Sequence, residues 1–225
     1  MQWQKFNKMK ITLLHPSRGR ADQALKTFNS WMDRAKHPEN VEHVLCLDDD
    51  DPQLNAYKEN FKNSKIHIGQ HSNVVQATNA GIHLVDGNFV IYLSDDFRCP
   101  DFWDYQILCK WEQHDKPYLW LLKVDDLLQK FKTDVLTIPI MTRKLMDHLG
   151  YFWHPGYASM FVDQDLYHTC MNNGWLYLAE DLKFEHMHYC NAKAPNDETY
   201  QRSGKNWNTG QAFYRTRKQQ RFPLI

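Results

Sequence analysis

The sequence predicts an α/β fold with a mostly parallel central sheet flanked by helices on both faces. Over the first hundred residues, β-prone apolar runs alternate with segments of helical periodicity. One run, Phe89-Val90-Ile91-Tyr92-Leu93, is apolar or aromatic at every position, as a strand covered on both faces must be. The breaks after these runs carry Pro, Gly and clustered Asp. In parallel sheets ligands bind beyond the carboxyl ends of the strands, so those breaks are the candidate functional loops.

Taken in order, Lys10 to Leu14 is a short strand that breaks at His15-Pro16-Ser17-Arg18-Gly19-Arg20, and Leu25, Phe28, Trp31 and Met32 then recur at helical spacing. Val41 to Leu47 is a second strand ending in Asp48-Asp49-Asp50-Asp51 and Pro52, followed by a short polar helix to Phe61. Lys65 to Ile68 is a third strand. Val74, Ala77, Gly81, Ile82 and Val85 mark an amphipathic helix that stops at Asp86-Gly87, before the buried run at Phe89. Beyond Pro100 the pattern predicts a helix over Phe102 to Trp111, strands over Tyr118 to Val124 and Val135 to Ile138, and a helix over Arg143 to Leu149 closed by Gly150. A further helix is expected over Asp165 to Asn173. No repeat or low-complexity linker interrupts the chain, so residues 1–225 read as one domain, with a nucleotide half over about 9–100 and an acceptor half over about 101–225.

The composition suits a folded globular chain: 225 residues, 42% hydrophobic and 24% charged, with 27 basic residues balancing 27 acidic ones. That excludes disordered, collagenous and coiled-coil classes. Neither an apolar run long enough to span a bilayer nor a signal peptide at Met1-Gln2-Trp3-Gln4-Lys5 is present, so a cytoplasmic protein without stable membrane association is expected. The five cysteines are scattered without a CxxC pair and read as reduced thiols. The balanced charge conceals an uneven distribution. Arg202, Lys205, Arg215, Arg217, Lys218 and Arg221 follow Tyr200 with no acidic residue among them, interleaved with Trp207, Phe213 and Tyr214.

The acidic knots are the complementary feature. Asp95-Asp96 directly follows the buried strand, which aims two carboxylates into the ligand crevice, and hard oxygen donors there suit Mg²⁺ or Mn²⁺. Asp-Asp turns are also commonplace without a metal. Tyr151-Phe152-Trp153-His154-Pro155-Gly156-Tyr157 packs five rings into seven residues and reads either as core or as a platform for a sugar or base. A zinc site from His186, His188 and Cys190 is a further reading, with no fourth ligand evident.

The stretch from Asn79-Ala80-Gly81 through the apolar strand to Ser94-Asp95-Asp96 resembles family-2-like glycosyltransferases with the GT-A fold, in particular their short viral, phage-type members. The resemblance extends over roughly residues 9–220. It implies that Ser94-Asp95-Asp96 is the DxD-type metal motif, with Asp96 on a divalent cation (Mn²⁺ or Mg²⁺) and Ser94, Asp95 and Asn79 toward the donor. Pro16, Ser17, Arg18 and Arg20 look like the first nucleotide loop, and Asp48, Asp49 and Asp50 like the loop that grips the uracil or ribose edge. Gly156 to Leu166 resembles the segment that carries the catalytic base, here Asp163 by position with Asp165 second, and with Val162 where a glutamate is expected. His186 or His188 resembles the late histidine that completes the metal site, and Asp197-Glu198-Thr199-Tyr200 the ending of the short viral members.

The implied activity is metal-dependent transfer of a sugar from a nucleotide-sugar donor, expected to be a UDP-sugar, to an acceptor hydroxyl with inversion. Trp153, His154, Tyr157, Arg202, Lys205, Trp207 and Arg215 are the candidate acceptor residues. Cations neutralise phosphates and aromatic faces stack on displaced bases, so a 5-hydroxymethylpyrimidine in DNA is the acceptor hypothesis, with a glycan otherwise. A solvated C-terminal helix that merely closes the domain is the plainer reading of the same tail. No protein partner is evident. The competing classes are a non-catalytic nucleic-acid or carbohydrate binding module, a sugar nucleotidyltransferase, which would carry a Gly-rich first loop, and a metal-dependent phosphatase or nuclease.

Overall fold

The computed structural model describes residues 9–128, 130–194, 201–202 and 204–225. The first residues, Met1 to Lys5, and Asp197-Glu198-Thr199-Tyr200 lie outside them. In chain order the elements are β1 (Ile11–Pro16), α1 (Ala21–Arg34), β2 (Val41–Asp48), α2 (Leu54–Asn60), β3 (Lys65–Gly69), α3 (Val74–Gly81), β4 (Phe89–Tyr92), β5 (Phe97–Arg98), α4 (Trp103–Gln113), β6 (Leu121–Asp125), β7 (Ile140–Thr142), α5 (Arg143–Leu149), α6 (Val162–Asn172), β8 (Leu176–Lys183), β9 (Glu185–His186) and α7 (Trp207–Gln219).

The main sheet has the order β3-β2-β1-β4-β7-β6-β8. Strands β3, β2, β1 and β4 pair in parallel, β7 runs antiparallel to both of its neighbours, and β6 pairs in parallel with β8. A two-stranded antiparallel ribbon joins β5 to β9, with Phe97 opposite His186. Alternation along the strands sorts side chains to the two faces. Leu14, Val44, Cys46, Val90 and Met141 join the core beneath α3, α5, α6 and α7, whereas Ile11, Leu13, Phe89, Ile91 and Ile140 join the core beneath α1 and α4. Leu45 and Leu47 pack with Ala21, Ala24 and Tyr57 beneath α1 and α2. At Gly81 a Cβ would stand 2.2 Å from Cys46 Sγ, so α3 lies as close to β2 as it does only because that residue has no side chain.

Three differences from the expected elements bear on function. Residues 135–138 are not a strand. Their backbone bonds to side chains instead, with Val135 O accepting from Lys123 Nζ at 2.7 Å and Leu136 N donating to Asp163 at 3.2 Å, and the strand follows Pro139 as β7. The edge strand β8 has no counterpart in the predicted elements. It is half exposed, includes Leu178 at the surface, and pairs with β6 through a register shift, so its alternation is weak. The helix expected over Asp165 to Asn173 starts earlier, α6 beginning at Val162, which places Asp163 as well as Asp165 in its first turn.

Candidate functional site

Strand order reverses between β1 and β4, and the loops leaving these two strands flank the crevice where parallel sheets bind ligands. The loop after β1 carries Pro16 to Arg20, and the loop after β4 carries Ser94 to Asp96. Between them lies a cleft of about 400 Å³ whose lining includes Arg18, Asp48, Asp96, Trp153, Asp163 and His186. Pro16, Ser17, Arg20, Ser94, Asp95, His188 and Arg202 line it as well. The fold therefore gathers residues that lie far apart in the sequence.

The two nucleotide-side loops are welded to each other. Arg18 Nη1 donates to Asp48 Oδ2 at 2.7 Å and also pairs with Asp50, which holds its guanidinium in the charged state. Asp48 accepts in addition from His71 Nδ1 at 3.0 Å. Asp51, absent from the predicted site, accepts from Gly19 N and Gln53 N and so ties the same loops through their backbone. Asp49 and Asp50 are exposed and do not line the cleft. Asp50 acts on it through Arg18.

Asp95 and Asp96 do different work although they are adjacent. Asp95 is buried, its Oδ1 is 2.8 Å from His15 Nε2, its Oδ2 accepts from Ser17 Oγ at 2.9 Å, and its carbonyl oxygen accepts from Gln23 and Thr27. Its carboxylate thus ties the loop after β4 to β1 and the loop that follows it, its carbonyl ties that loop to α1, and the residue also lines the cleft. Asp96 Oδ2 faces His186 Nε2 at 3.2 Å, and the ring of His188 stands 4.8 Å from that of His186. Burial, with His186 alongside, lowers the pKa of His188.

Among the described residues no three His, Cys, Asp or Glu side chains converge as a metal cluster, and the reading of His186, His188 and Cys190 as a zinc site is not supported. The pair of Asp96 and His186 does fit a hexacoordinate cation that takes its other ligands from a diphosphate and water. Ligands roughly 2.1 Å from such an ion lie about 3 Å apart at right angles, close to the separation of these two donors. The Nδ1 of His186 is buried and makes no hydrogen bond among the described residues, so its neighbours do not fully satisfy this ring.

The opposite wall is set by α6. Phe161 precedes it at φ 70°, a strained conformation for a residue with a side chain, held by ring contacts to Trp207 and Tyr214. Asp163 lies two residues on and lines the cleft, and burial raises its pKa above the ordinary carboxylate value. Asp165 faces the other way. It is buried in a bidentate pair with Arg217 and accepts from Tyr157 Oη and Thr169 Oγ1, so the second candidate base does not reach the cleft.

The remaining candidates divide similarly. Asn79 does not line the cleft; its Oδ1 accepts from Phe152 N at 3.0 Å and Trp153 N at 2.9 Å, and its Nδ2 donates to Trp153 O at 2.7 Å. It sets the loop that brings Trp153 to the cleft wall. His154 and Tyr157 are core residues packed on Phe213, and burial lowers the His154 pKa. Lys205, Trp207 and Arg215 are exposed and away from the cleft lining, while Arg217 is buried and closes the domain.

These features define an α/β domain of the GT-A type, with a carboxylate and histidine pair at the switch point. Solved structures agree on the fold. The chain aligns with S. aureus TarS 1-349 in complex with UDP at a TM-score of 0.62 and 14% identity, over 92% of this chain and 73% of that one. It aligns with the mannosyltransferase PcManGT from Pyrobaculum calidifontis, in complex with GDP-Man and Mn²⁺, at a TM-score of 0.65 and 12% identity, over 92% of this chain and 64% of that one. No protein-family model and no curated protein matches the sequence. At such identities the likeness establishes the GT-A fold. No helix among the described residues is long and apolar enough to cross a membrane.

Proposed function

We propose that the chain is a divalent-metal-dependent glycosyltransferase that moves a sugar from a UDP-sugar to an acceptor hydroxyl with inversion. One observation carries this reading: a single cleft at the switch point is lined by Arg18 and Asp48, by Asp96 with His186, and by Asp163. The neighbours of the same fold were solved with UDP and with GDP-Man and Mn²⁺, which supports a nucleotide-sugar and a metal here.

In this reading Arg18 and Asp48 frame the nucleotide, and Trp153, held by Asn79, walls the sugar. Asp96 and His186 would hold Mn²⁺ or Mg²⁺, which neutralises charge building on the leaving diphosphate. The acceptor oxygen forms its bond to the anomeric carbon as the bond to the diphosphate breaks, and Asp163 takes the hydroxyl proton. A carboxylate whose pKa is raised by burial is a stronger base than an exposed one, and such help is worth about 10²- to 10⁴-fold. Retention through a carboxylate pair needs a second carboxyl about 5 Å away, and Asp165 is committed to Arg217. This supports reading the transfer as a single displacement with inversion.

Arg202 at the cleft edge supports an anionic acceptor, for which a 5-hydroxymethylpyrimidine in DNA is the proposal and a glycan the alternative. A viral enzyme of the host cytoplasm, as the resemblance to short viral members implies, would meet that acceptor. The decisive experiment incubates the protein and Mn²⁺ with a panel of nucleotide sugars and each acceptor class, and weighs the products. Transfer from a UDP-sugar with inverted anomeric configuration is expected. A panel without transfer, beside a thermal shift with UDP that Mn²⁺ does not enhance, would leave the binding module as the better reading.

A further inference from the structure

Beside the catalytic cleft runs a second and larger one, of about 880 Å³, between α1 and the ribbon of β5 and β9. The two share Arg20, Asp95, Asp96 and Phe97, so the second opens onto the catalytic centre at one end. Its long wall is a single stripe of α1: Arg20, Gln23, Lys26, Thr27, Ser30 and Arg34 recur at intervals of three and four residues. From Arg20 to Arg34 that stripe is about 21 Å long. Arg98, Lys183 and Lys193 face it from the ribbon side.

Six cations therefore line this cleft against Glu185 and the two aspartates at its inner end. Asp95 bonds to His15 and Ser17, and Asp96 faces His186, so both are directed at the catalytic side. Glu185 is shared between Lys193 and Arg98, and Arg34 pairs with the exposed Asp101. Lys26 and Lys183 are exposed and form no ion pair among the described residues. The aromatic lining is limited to the buried Phe97, so the cleft offers positive charge without a face for stacking bases. That combination suits the phosphates of a polymer and not its bases.

We infer that this cleft is the track for the phosphodiester backbone of a linear anionic acceptor, which lies along α1 and presents its acceptor hydroxyl to the catalytic cleft. The inference rests on the glycosyltransferase reading and moves the polyanion contact from the C-terminal tail to the face of α1. The residues that would carry it are Lys26, Lys183, Arg98 and Lys193, with Arg20 at the junction.

The test measures binding of the full chain to a single-stranded oligodeoxynucleotide and to inorganic polyphosphate of matched charge across a salt series, with UDP and Mn²⁺ binding followed in parallel. For the wild type, both polymers are expected to bind and to compete with each other. Each lysine–phosphate pairing that is removed should lower the log–log salt slope for the oligonucleotide by roughly 0.7, so Lys26→Gln with Lys183→Gln should reduce it by about 1.4. Donor binding should be unchanged in that variant, since neither lysine lines the donor cleft. An unchanged slope, or a slope that falls only in Arg215→Gln with Lys218→Gln, would overturn the inference, as would oligonucleotide binding that polyphosphate fails to displace. A wild type that does not bind UDP would instead remove the glycosyltransferase reading and leave the polymer result to stand on its own.

Discussion

Asp165 and Arg217 form a buried bidentate ion pair across 52 residues of sequence, with Nε to Oδ2 at 2.8 Å and Nη2 to Oδ1 at 3.1 Å. The pair fastens α7 to α6 and, with Tyr157 and Thr169, completes the hydrogen bonding of the carboxylate. It keeps Asp165, two residues from Asp163, and Arg217 of the basic tail in the domain core and out of the cleft lining.

Removing one partner of such a pair leaves a buried charge without compensation. Arg217→Leu should therefore destabilise the fold by about 3–5 kcal/mol. Urea unfolding measures the change, and UDP affinity should survive in the protein that remains folded. A stability within about 0.5 kcal/mol of wild type would show that the pair adds nothing net.

Asp163→Asn should lower turnover by at least roughly a hundredfold while sparing donor affinity. The pH profile separates this from a packing defect. Turnover of the wild type should rise with pH through the elevated pKa of Asp163, and the asparagine variant should lack that limb. Stability should move the other way. A carboxyl whose folded pKa lies above its unfolded value of about 3.9 contributes stability below that value and loses it as pH rises through the folded pKa. The variant should then melt at a higher temperature than wild type at neutral pH.

Asp96→Ala and His186→Ala should each abolish the cooperative effect of UDP and Mn²⁺ on thermal stability while the apo melting temperature stays near wild type. His188→Ala is the informative contrast. Equal loss in all three would place His188 on the metal beside His186, from which its ring is 4.8 Å distant.

Asn79→Ala removes three hydrogen bonds to the Phe152 and Trp153 backbone and strands two amides. A cost of about 1–3 kcal/mol is expected. Because Trp153 also lines the cleft, the UDP-sugar KM should rise more than kcat falls, and Trp153 fluorescence should lose its response to donor.

By itself the sequence determined the α/β class, the strand-end loops at Pro16 and Asp95, and the helix closed at Gly150, whose φ of 77° is the left-handed cap that glycine supplies. Those features are local: periodicity, turn chemistry and an apolar run buried on both faces are written within ten or twenty residues. Tertiary structure decided which polar residues are fastened to distant partners and which are left facing the cleft. Asp95 beside Asp96, and Asp165 beside Asp163, are alike in sequence, yet Asp95 and Asp165 are tied by buried bonds to partners 78 to 80 and 52 positions away, whereas Asp96 faces His186 and Asp163 lines the cleft. The same holds for Asn79, whose amide replaces a missing turn of backbone bonding at Trp153, and for the stripe along α1, whose facing cations come from β5, β8 and a residue just past β9. A hydrogen bond or an ion pair is specified by both of its ends, and where the ends lie far apart in the chain only the folded sheet brings them together.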